Sequence, residues 1–113
     1  MLIAIALYED KRESFIHPHF GLCNYYGIYD EQSDALTFIA NPHLNNPKQV
    51  GLHAAQILLE RGVVKVIAGR FGSKVSGFFS AKNVQMIIPH NPHVKLDELI
   101  NTVILTNPGN RKE

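Results

Sequence analysis

The chain of 113 residues contains a single cysteine. One thiol excludes an internal disulfide and an iron-sulfur cluster held by the usual set of thiolates, so any cluster bound here must bring its own sulfides. Excess charge is missing too, since eleven Lys plus Arg stand against ten Asp plus Glu. Without a dense positive field the chain has no footprint for a phosphate backbone, and nucleic acid is not an expected partner. The N-terminal MLIAIALY is too short to span a bilayer and lacks a basic n-region and a small-residue cleavage site. It reads as a first strand; the expected location is cytoplasmic, with no membrane partner. Leu2 to Leu7 holds no acidic residue, which a nuclease site of the ribonuclease H type requires in that strand. No G-x-S-x-G elbow surrounds Ser14, Ser73 or Ser76, and there is no solenoid-length repeat or low-complexity tract.

What is present reads as one α/β domain over 1–104, with 105–113 as a frayed tail. Leu2 to Leu7 is a continuous apolar run, as a strand buried on both faces requires. Tyr25–Tyr29 and Ala35–Ala40 form a hairpin across the polar DEQSD. Val50, Ala54, Ile57 and Leu58 fall at helical spacing, and Gly62 stands where a helix is expected to stop. An apolar strand at Val63–Ala68, a glycine loop, a helix carrying Val75, Phe78 and Phe79, a strand in NVQMII and a helix carrying Leu96, Leu99, Ile100 and Val103 complete the order β-β-β-α-β-α-β-α. Right-handed crossovers make strands three, four and five parallel, and the hairpin makes strand two antiparallel to them. A long loop rather than a helical crossover joins strands one and two, which leaves strand one parallel to three, four and five. The loops after the parallel strands then share one sheet edge, where open α/β folds bind ligands. That edge is expected to gather His17, His19, Cys23, His43, His53, Arg70, His90 and His93.

Two motifs there carry chemistry. In HPHFGLC, His17 and His19 flank Pro18, and Cys23 follows Gly21. Imidazole and thiolate suit soft or borderline metals, and a glycine admits a bulky ligand to the backbone. The same residues also fit a turn with two solvated histidines and a cysteine tucked in as a small hydrophobe. In AGRFGSK, Gly69 and Gly72 lie in a strand-to-helix turn whose free N–H groups favour an anion, and Arg70 adds a charged fork. Such turns also use glycine for tight geometry alone, and the motif is neither a P-loop nor a dinucleotide fingerprint.

Taken together, HPHFGLCNYYGIYD, a helix start containing Gly51, VIAGRFGSKV and NVQMII resemble the dinitrogenase iron-molybdenum cofactor biosynthesis family, which includes NifX-type carriers, NifB C-terminal-like domains and the orange protein. The resemblance covers 1–104 and implies a ribonuclease H-like three-layer α/β/α domain with a five-stranded mixed sheet. It implies a small non-catalytic protein, a carrier or sensor of a preformed anionic metal-sulfur cluster of iron and/or molybdenum, with cluster-assembly or acceptor proteins as partners. By position, His19, Phe20 and Gly21 line the pocket opposite Gly69, Arg70 and Gly72, and His17, His19 and Cys23 are the candidate metal ligands. The family often has arginine where Leu22 stands here. Two other readings stand beside it: a divergent metal-dependent hydrolase, which needs carboxylates beside these histidines, and a ligand-free regulatory interaction domain, which needs the histidines scattered.

Overall fold

A computed structural model describes residues 1–42, 50–91 and 93–104. Its strands are β1 (Leu2–Leu7), β2 (Tyr25–Asp30), β3 (Leu36–Ala40), β4 (Val63–Ile67) and β5 (Gln85–Ile87). Its helices are α1 (Val50–Glu60), α2 (Ser73–Ala81) and α3 (Leu96–Leu99), the last continuing as a wider π-helical turn over Ile100–Ile104. They form one five-stranded mixed sheet in the order β3-β2-β1-β4-β5. β2 runs antiparallel to β1 and β3, whereas β1, β4 and β5 are parallel. The expected strand directions therefore hold.

The apolar run of β1 lies at the centre of the sheet, and Ile3 to Leu7 are buried. Alternation sends its side chains to two cores. Ala4 and Ala6 face Ala54, Ala55 and Leu58 of α1 and Phe79 of α2, while Ile3, Ile5 and Leu7 join Leu96, Leu99 and Ile100. Small residues on one face of β1 and large ones on the other match a helix pair on the first side and a single short helical segment on the second. The result is three layers, α/β/α.

Local signals stop the elements where the sequence places them. Gly62 takes φ +92°, and its N–H donates to the Leu59 carbonyl at 3.0 Å, closing α1 through a left-handed residue. In the hairpin, Asp30 Oδ1 accepts the Gln32 N–H at 3.0 Å, and Asp34 takes the positive φ of 64° that this turn requires. The final helix differs from expectation, since only one α-helical turn forms before the π-helical turn. Its buried residues are nonetheless three of those expected, Leu96, Leu99 and Ile100. The tail at 105–113 lies outside the described residues. Among the described residues no helix is long and apolar enough to cross a membrane.

Candidate functional site

The loop leaving β1 turns back beside the sheet edge. The His17 N–H donates to the Ala6 carbonyl at 2.7 Å, and the next residues are laced to the β4–α2 loop by Gly69 N–H to His17 carbonyl, 3.2 Å, and Phe20 N–H to Arg70 carbonyl, 3.0 Å. The approach is so close that a Cβ on Gly69 would stand 2.6 Å from both Cα and the carbonyl oxygen of Pro18. Backbone cannot yield as a flexible side chain can, so only glycine fits. HPHFG and AGRFG thus form a single structural unit.

Beyond this seam the Phe20 ring is buried among Tyr26, Phe71 and Phe79, with centroids at 5.2, 5.6 and 5.5 Å. Gly21 then passes over the start of α1, where an added Cβ would lie 3.0 Å from the Gly51 Cα; one on Gly51 would lie 3.0 Å from Val75 Cγ2. Loop, α1 and α2 meet at a cleft of about 370 Å³. The loop supplies His19, Phe20, Gly21 and Leu22, α1 supplies Gly51, and the β4–α2 segment supplies Arg70, Gly72 and Val75.

Three properties define what this cleft can hold. Gly72 begins α2 in extended conformation with no side-chain cap, and a Cβ there would meet nothing within 4 Å. The first N–H groups of a helix have no intrahelical partner, and the first turns of α1 and α2 contain no acidic residue, so the helix dipoles remain available to an anion. Among the described residues, Arg70 is the one charged residue of the lining, no carboxylate joins it, and the rest is imidazole, glycine and apolar side chain. Such a wall offers a ligand one soft-to-borderline donor, His19, together with cationic and amide contacts.

Of the anticipated binding residues, His19, Phe20, Gly21, Arg70 and Gly72 share this cleft. Gly69 is corrected in role: it lies behind the lining, where its missing side chain admits Pro18. Cys23 is corrected too. Its sulfur is fully buried in the α1/α2 core and donates to the Phe20 carbonyl at 3.4 Å, and burial pushes the thiol pKa up to about 11. Ligation requires an accessible, stabilised thiolate, and this environment provides the reverse. His17 is not part of the lining either; its Nδ1 accepts the His19 N–H at 3.0 Å and its ring lies 4.5 Å from that of Tyr8. Burial lowers its pKa and favours the neutral form.

The other histidines do not assemble here. His90 and His93 line two separate surface depressions, His53 is half-buried within α1, and His43 lies outside the described residues. Among the described residues no three His, Cys, Asp or Glu side chains are grouped to hold a metal ion. Leu22 and Val75 were not anticipated in the lining. Val75 looked like an ordinary core residue because its helical spacing serves both purposes.

The family model described as dinitrogenase iron-molybdenum cofactor matches residues 1–105. The fold is similar to the apo form of the orange protein from Desulfovibrio gigas, with a TM-score of 0.82 and 17% identity over 91% of this chain and 86% of that one. It is also similar to a NifB-type protein from Thermotoga, with a TM-score of 0.69 and 23% identity over 88% of this chain and 84% of that one. No curated protein matches the chain.

Proposed function

The chain belongs to the dinitrogenase iron-molybdenum cofactor family, and from that premise we propose that it is a non-catalytic carrier or sensor that binds a preformed, anionic metal-sulfur cluster in the His19–Arg70 cleft. The observation that carries this reading is the convergence of His19, Arg70 and the uncapped start of α2 on one cleft that holds no carboxylate among the described residues. His19 would bind the metal through its imidazole. Arg70 and the N–H groups at Gly72 and beyond would meet the sulfides, and the apolar surface of Leu22 and Val75 would exclude water. A sulfide-rich anion is large, polarisable and weakly hydrated, so it loses less on leaving water for this half-apolar cleft than a hard oxyanion does. The hydrolase alternative calls for carboxylates beside the histidine, and among the described residues the cleft has none. Cluster-assembly or acceptor proteins are the partners that such a role requires.

Tetrathiomolybdate, a molybdenum-sulfur dianion, is a suitable probe under oxygen-free conditions. Visible absorbance is expected to report stoichiometric binding that excess molybdate or phosphate does not displace, with affinity reduced at least about tenfold in His19→Ala, roughly 1.4 kcal/mol. Equal binding by His19→Ala, or ready displacement by phosphate, would count against the proposal.

A further inference from the structure

We propose that Asn41 is a positioning residue for this site, clamping the Phe20–Cys23 rim so that the carbonyl oxygens of Gly21 and Cys23 face away from an anionic cargo. Asn41 follows β3 directly and is only 6% exposed, a costly place for an amide unless it is hydrogen-bonded. Its Nδ2 donates to the carbonyls of Gly21 and Cys23, each at 3.0 Å, and its backbone N–H donates to the Asn24 carbonyl at 3.0 Å. Two hydrogens on one planar group therefore fix two carbonyls of the rim. A third, that of Phe20, accepts the Tyr26 hydroxyl at 2.7 Å and the Cys23 thiol at 3.4 Å.

This arrangement has an electrostatic purpose. A carbonyl oxygen beside an anion repels it, whereas an N–H attracts it. With the carbonyls of residues 20, 21 and 23 engaged by donors from the core and the sheet, the rim is prevented from turning them into the cleft. Among the described residues, neither the Gly21 nor the Leu22 N–H donates to a backbone carbonyl. The clamp is visible in the apo fold, but its purpose rests on the cluster-binding reading.

Exchange and titration followed by NMR separate the two. In the wild-type protein the Asn41 side-chain amide is expected to exchange with solvent at least about tenfold more slowly than that of exposed Asn91. Unretarded exchange would overturn the clamp without any variant. In Asn41→Ala, and less severely in Asn41→Ser, the Phe20 and Asn24 amides are expected to exchange at least about tenfold faster while those of β4 keep their rates. Unchanged rates would overturn the proposal. Tetrathiomolybdate should shift the Gly21 and Leu22 amides together with those of Ser73 and Lys74 in the wild type, and only the second pair in Asn41→Ala. Equal response of both pairs in the variant would overturn the positioning role. If the probe shifts neither pair in the wild type, the cluster-binding reading fails, and the exchange rates alone decide the clamp.

Discussion

His19 and Cys23 are four positions apart and occupy opposite environments, one on the cleft and one in the core. Cys23→Ala should therefore leave tetrathiomolybdate binding within about twofold while costing on the order of 1 kcal/mol of stability, measured by urea denaturation. A loss of binding comparable to that of His19→Ala would return the thiol to the ligand set. His17 makes a different prediction. Burial lowers its folded pKa, so the unfolded chain takes up its proton first as pH falls. The stability that His17 contributes is complete above its unfolded value of about 6.5 and is lost as pH falls towards and through the folded value. In the metal-free protein, Tm should drop between about pH 7.5 and 5.5, and less so in His17→Gln, whose amide oxygen can still accept the His19 N–H. Parallel profiles would show that His17 is not responsible.

At the level of elements, α2 serves two purposes that a single substitution can set against each other. Its first turn contains no acidic residue and its N-cap is the glycine of the cleft rim. Ser73→Asp would complement the helix dipole and should raise stability by about 0.5 kcal/mol. The same charge, next to the anion site, should weaken tetrathiomolybdate binding by about tenfold, equal to about 1.4 kcal/mol. A stabilised variant with unchanged binding would detach the start of α2 from the site. Periodicity and the stop at Gly62 place α1 closely and put Val75, Phe78 and Phe79 on a second helix without giving its bounds, because apolar spacing and a stop such as Gly62 are local features. The last helix was harder to read: the apolar positions Leu96, Leu99 and Ile100 suit an α-helix and a wider turn equally, so burial was legible and pitch was not.

For the whole molecule, the sheet separates two cores of which only one supports the site. Phe79 packs edge-on against Phe20 at 5.5 Å beneath the cleft, whereas Leu99 fills the layer across β1. Leu99→Ala should cost about 3 kcal/mol and Phe79→Leu about 1 kcal/mol. Binding, measured where both variants remain folded, should show the opposite order, with Phe79→Leu the weaker binder and Leu99→Ala close to wild type. If affinity instead follows global stability, the two layers do not act separately on the site.

The element order, the strand directions and the edge that gathers HPHFG with AGRFG were legible in the chain itself, since alternation, helical spacing and right-handed crossovers act on short segments or on their sequence. Those rules bring loops together; they do not orient side chains within them. Only the packed structure turns Cys23 into the core and His19 onto the cleft, because a turn can present neighbouring residues to either side and distant contacts with Tyr26, Asn41 and α1 select one. The same holds for Gly69, whose purpose is set by Pro18 about fifty residues earlier in the chain, and for Asn41, whose two acceptors belong to a loop that precedes β2. A close approach between distant backbones leaves no periodic trace in sequence; it becomes visible when the chain is folded and the space for a side chain is gone.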